Sequence, residues 1–121
     1  MKLFKSIPLG VHSALEVLAA PLLIVAPFVL GFGPLAGAIS VLLGALLIGL
    51  GVSLQGAAGE RGTLPLAAHA GLDQLLAAIT VAVGLALLFT GQLGPGIFMV
   101  GFGLAHLALS ASTRYSRPLG A

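Results

Sequence analysis

The stretch Pro8-Leu9-Gly10-Val11-His12-Ser13-Ala14-Leu15-Glu16-Val17-Leu18 is written a second time as Pro65-Leu66-Ala67-Ala68-His69-Ala70-Gly71-Leu72-Asp73-Gln74-Leu75. The proline moves from 8 to 65, the histidine from 12 to 69 and the carboxylate from 16 to 73, a constant shift of 57. In both copies a proline opens an apolar segment and a histidine precedes an acid by four residues. On a helix that spacing places the two side chains on one face.

Around these copies the chain is too apolar for water. Of its 121 residues 59% are hydrophobic and 7% charged, and the mean hydropathy is +1.19. That leaves too little polar surface to coat a soluble domain, so the sequence reads as an integral membrane protein. The formal charges are Lys2, Lys5, Glu16, Glu60, Arg61, Asp73, Arg114 and Arg117, of which only Glu16 and Asp73 fall inside apolar runs. The absence of cysteine excludes disulfides, thiolate zinc sites and covalent haem attachment. The basic residues are scattered over three short segments without an aromatic platform, which argues against nucleic acid as a partner. Lys2 and Lys5 before an apolar run look like a signal peptide, but the run continues to about Phe32, and an uncleaved first span is expected.

Four apolar spans follow, 10–31, 35–54, 66–89 and 94–112, each near the ~20 residues that cross a bilayer as a helix. Helices are required because backbone polar groups cannot stay unpaired in lipid, and no strand-like alternation is present. The expected fold is all-α, a polytopic membrane protein of four transmembrane helices arranged as two tandem hairpins. Residues 1–54 make the first hairpin, 55–63 a water-exposed link rich in glycine, and 64–121 the second hairpin with a tail. Every basic residue sits at the amino terminus, in that link or in the tail, and none in either hairpin turn. The positive-inside rule then places both termini and the link in the cytoplasm of a bacterial inner-membrane protein. Because both copies start on one side, they are read as parallel repeats about an axis along the membrane normal.

Extended along the chain, the shift of 57 carries Gly37 onto Gly94, Gly44 onto Gly101 and Gly51 onto Ala108. These small residues, spaced by seven, form a stripe on the second and fourth spans. Lipid provides no hydrophobic drive for helix association, so such stripes are the expected packing surface, either between the hairpins or in a homo-oligomer. Pro21 and Pro27 lie inside the first span and are expected to kink it. Ala26-Pro27-Phe28, late in the first helix of a two-helix unit, resembles the Ser-Pro-Trp signature of the SPW-repeat family of small bacterial membrane proteins. The proline is retained, and the second copy has Val83-Gly84-Leu85 there. The resemblance implies a membrane-embedded helical repeat and carries no biochemical activity with it.

Counted from the ends of the spans, His12, Glu16, His69, Asp73 and His106 fall in one leaflet, where they are able to meet. On insertion scales an intramembrane carboxylate costs about 2.5–3.5 kcal/mol at a helix centre, so two of them call for partners. Three uses are open: polar glue between helices, a proton or cation path as in a small oligomeric transporter, or a haem or divalent-metal site. No phosphate loop, HExxH or GxSxG is present, and His12 beside Ser13 is not a nucleophile–base geometry, so no catalytic residue is assigned. The reading adopted is a non-enzymatic structural or accessory subunit without a cofactor. Its partners are the bilayer and either further copies or a larger membrane complex. Arg114-Tyr115-Ser116-Arg117 is expected to anchor the tail at the headgroups.

Overall fold

The computed structural model describes residues 6–55 and 66–115. Most of the expected link, together with Lys2, Lys5, Glu60, Arg61 and Arg117, lies outside the described residues. The described chain is all-helical: α1 (Leu9–Leu30), α2 (Pro34–Gln55), α3 (Leu66–Phe89) and α4 (Leu93–Ala111). Each contains an apolar segment of 19 to 23 residues with mean hydropathy between 1.5 and 2.4. At ~1.5 Å per residue such segments are long enough to cross ~30 Å of hydrocarbon. Large apolar side chains such as Leu18, Phe28, Val29 and Phe89 point outward, as a lipid-facing belt requires.

The same device ends both first helices. Gly31 and Gly91 adopt positive φ, 70° and 84°, a conformation that costs glycine nothing. The next residues then reach back: Phe32 N–H donates to Pro27 O at 3.0 Å and Gln92 N–H to Leu87 O at 2.8 Å. This six-to-one closure satisfies carbonyls that a helix end would otherwise strand in lipid.

Pro27 creates a second need inside α1. Lacking an N–H, it cannot bond the carbonyl of Leu23, four residues earlier. Ser40 of α2 donates its hydroxyl to that oxygen at 2.5 Å, and Ser40 is fully buried. A neighbouring helix thus satisfies the backbone that the proline leaves open. Ser40→Ala is expected to cost about 1–3 kcal/mol by orphaning the carbonyl. In a Pro27→Ala background residue 27 regains its N–H and the penalty should shrink. Unfolding of the four chains in micelles gives the coupling; equal penalties in both backgrounds would refute this role for Ser40.

Helices pack closely within each hairpin, and the packing glycines correct the stripe expected for the fourth span. In hairpin α1/α2 a Cβ on Gly44 would lie 2.7 Å from Ile24 and 3.1 Å from Ala20 O. In hairpin α3/α4 a Cβ on Gly103 would lie 2.6 Å from Val81 and 3.0 Å from Ala77 O. Ala20 to Ala77 and Ile24 to Val81 are shifts of 57, whereas Gly44 to Gly103 is a shift of 59. Gly37 against Pro27 and Gly96 against Gly84 repeat the pattern. The cause is length: α3 has 24 residues and α1 has 22, and the difference of two moves the register of the following helix. A Cβ on Gly51 would meet Val17 and Glu16, but one on Gly94 or Gly101 would meet nothing within 4 Å among the described residues, and Ala108 is exposed.

Between hairpins the contacts are far sparser than inside them. Near the turns Phe32 stacks edge-on against Phe98, ring centroids 5.8 Å apart. At the opposite end Ile7 N–H donates to Ser112 O at 2.9 Å and Arg114 N–H to Ile7 O at 3.0 Å, tying the segment before α1 to the segment after α4. Just inside that tie lie the polar residues.

Candidate functional site

Each of the five expected polar residues reaches the same interior point because of where it sits on its helix. His12 and Glu16 lie in the first two turns of α1, His69 and Asp73 in the first two turns of α3, and His106 near the end of the antiparallel α4. Relative exposures are 0%, 1%, 0%, 0% and 6%, so the group is sealed from lipid on nearly every side.

The closest pairing is crossed between helices. His12 Nε2 is 2.7 Å from Asp73 Oδ2 of α3 and 3.3 Å from Glu16 Oε2 on its own helix. His69 Nε2 lies 3.3 Å from Glu16 Oε1 of α1 and 3.1 Å from Asp73 Oδ2. His106 Nε2 reaches Glu16 Oε2 at 3.0 Å and Asp73 Oδ1 at 3.4 Å. All three Nε2 atoms face the two carboxylates, so each histidine serves acids on two helices.

Two residues that the sequence reading did not place here complete the group. Thr113 Oγ1 sits 2.7 Å from His12 Nδ1 and donates its single proton to Leu109 O at 2.6 Å. A hydroxyl has one hydrogen, so toward His12 it accepts, and His12 carries a proton on Nδ1. The other ring nitrogen then faces Asp73 at 2.7 Å, a separation that two bare lone pairs do not tolerate. A proton has to be shared between them, so the contact is a hydrogen bond between imidazole and carboxyl. Tyr115 is the second addition. It was expected at headgroup depth, but the Ile7 tie turns the tail inward, and its hydroxyl donates to Asp73 Oδ2 at 2.7 Å. Its ring meets that of His12 edge-on at 5.2 Å. Neither residue belongs to the duplicated stretch, and the tail's proximity to α1 depends on a backbone pairing that hydropathy does not encode.

Satisfaction is incomplete. His69 Nδ1 and Asp73 Oδ1 are buried without a hydrogen-bond partner among the described residues. Thr80, by contrast, bonds Leu76 O within its own helix at 2.8 Å, as expected of a threonine in an apolar span.

Burial pushes the Tyr115 hydroxyl well above its ordinary pKa of 10.0, and the Asp73 carboxylate beside it adds to the shift. A folded state that holds this proton more tightly than the unfolded chain loses stability once pH rises past 10.0, where only the unfolded phenol ionises. The chain has one tyrosine and no tryptophan, so tyrosinate absorption reports Tyr115 alone. In the folded protein that absorption is expected only with alkaline unfolding; a reversible titration at the ordinary value with helicity intact would show that Tyr115 is not docked on Asp73.

Residues on three helices and the tail therefore form one buried centre with two acids, three imidazoles and two orienting hydroxyls. No protein-family model, curated protein or solved structure matches this chain.

Proposed function

We propose that the chain is a non-enzymatic structural or accessory protein of the membrane, in which the His/carboxylate centre fastens two apolar hairpins together. One observation carries this reading: the crossed contacts of His12 with Asp73 and of His69 with Glu16 join hairpins that otherwise touch little. In lipid, apolar surface gives no net drive for docking, so polar contacts and close packing decide which helices stay together. The unequal distribution of basic residues supports an orientation with the Ile7/Thr113 end at the cytoplasmic face of a bacterial inner membrane. Gly94 and Gly101, where an added Cβ would meet nothing within 4 Å among the described residues, and the exposed Ala108 support contact with further copies or a larger complex. The two-helix layout with Pro27 supports the likeness to SPW-repeat proteins.

The test exploits the absence of cysteine. Spin labels on cysteines introduced at the exposed positions Val25 and Leu85 report the distance between hairpins. We expect one narrow distribution in the native background and a broad one with Asp73→Ala. Labels placed within one hairpin should be unaffected. An unchanged distance between hairpins would overturn the fastening role.

A further inference from the structure

We propose that the buried centre is a divalent transition-metal site, with His12, His69 and His106 ligating through Nε2 and Glu16 and Asp73 through carboxylate oxygens. This rests on the reading of the centre as the joint between hairpins and adds what the joint holds. Ligand atoms of His12, Glu16, His69 and Asp73 all lie within 4.8 Å of one another. His106 Nε2 completes the set at 3.0 Å from Glu16 Oε2 and 3.4 Å from Asp73 Oδ1. An ion with bonds of ~2.0–2.2 Å has neighbouring ligands roughly 3.0–3.4 Å apart. Five of the six nitrogen–oxygen separations here, 3.0 to 3.4 Å, match the edges of such a coordination polyhedron. The sixth, 2.7 Å, would open slightly.

Three further features point to a cation. Thr113 fixes the His12 proton on Nδ1, which leaves Nε2 as the atom offered to the centre; metal-bound histidines are commonly oriented by such an outer partner. Asp73 Oδ1, fully buried, has no hydrogen-bond partner among the described residues and faces the same space. Two carboxylates and three neutral imidazoles around a doubly charged ion give a centre without net charge, the state that hydrocarbon tolerates best. Mixed nitrogen and oxygen ligands without sulfur suit zinc, iron(II), manganese or cobalt rather than calcium, magnesium or copper(I). A pocket of about 150 Å³ between α1 and α4, lined by Leu15, Ala19, Phe102 and Ala105, reaches Glu16 and His106.

The experiment titrates cobalt(II) into the full chain in micelles after chelator treatment, then adds zinc. The expected result is visible d–d absorption saturating at one equivalent per chain, displaced by zinc, lost in His69→Gln and kept in Ser40→Ala. Should His69→Gln unfold, X-ray absorption of the zinc-loaded native chain decides, since imidazole ligands scatter characteristically. Absence of saturable cobalt or zinc in the native chain overturns the metal site, as does cobalt binding unchanged in a folded His69→Gln chain. If the native chain binds no metal but holds its narrow inter-hairpin distance, and Asp73→Ala loses it, the metal site falls and the joint stands. If metal binds and Asp73→Ala keeps that distance, the joint falls and the site stands.

Discussion

Asp73→Ala is expected to destabilise the folded chain by about 3–5 kcal/mol, the cost of breaking a buried ion pair by removing one partner. The reason is the number of groups that depend on Asp73. Its Oδ2 faces His12 Nε2 at 2.7 Å, His69 Nε2 at 3.1 Å and the Tyr115 hydroxyl at 2.7 Å. Alanine leaves all three without that acceptor at a buried site. The penalty measures stranded groups rather than the net worth of the network, so replacing the set together is a different experiment. Buried polar networks exchanged for apolar residues of similar volume are often neutral or better. A chain with His12, Glu16, His69, Asp73 and His106 all replaced by leucine or methionine should therefore approach native stability while losing the single inter-hairpin distance. Helicity followed against denaturing detergent separates the two results. A loss from Asp73→Ala below about 1 kcal/mol, the range of exposed pairs, would show that the centre is open to water.

Gly84→Leu is expected to cost at least the upper end of the ~1–3 kcal/mol typical of overpacking. A Cβ at Gly84 would stand 2.6 Å from the backbone nitrogen of Val100 and 3.0 Å from Gly96 O. Backbone cannot swing aside as a side chain can, so α3 and α4 must separate along their contact. A Cβ at Gly101, beside Val100, would meet nothing within 4 Å among the described residues, so Gly101→Leu starts into open space. It should be neutral or stabilising by the ~0.5–1 kcal/mol by which glycine weakens a helix. The contrast discriminates between the two registers. If Gly101→Leu proves the harmful change and Gly84→Leu the mild one, α4 packs at a shift of 57 and the contacts described here are wrong.

Hydropathy and length alone specified four spans, and the observed helices begin and end within one residue of them. That legibility has a physical source. A backbone in lipid has to satisfy itself within its own segment, so each span is decided locally. The His/acid pairs were legible for a related reason: a charge in hydrocarbon is costly wherever it sits, and position along a helix gives its depth. Glycine in the two turns was equally readable, because only the local φ at Gly31 and Gly91 was at stake.

Contacts between helices were not contained in any one segment's pattern. Two additional residues in α3 shifted the packing of α4 from Gly94 and Gly101 to Gly96 and Gly103, and a constant sequence offset has no means of detecting where a helix lengthens. Spacing of four residues made partners within one helix, whereas the shortest histidine–acid contact joins His12 to Asp73 across two. Tyr115 carried the composition of an interfacial anchor, yet the pairing of Ile7 with the segment after α4 turns it onto Asp73. Local chemistry settled which segments are long and apolar enough to cross a bilayer and where along them the acids sit. Which groups those acids meet was left to helix approach and chain-end pairing, since those energies exist only once distant segments touch.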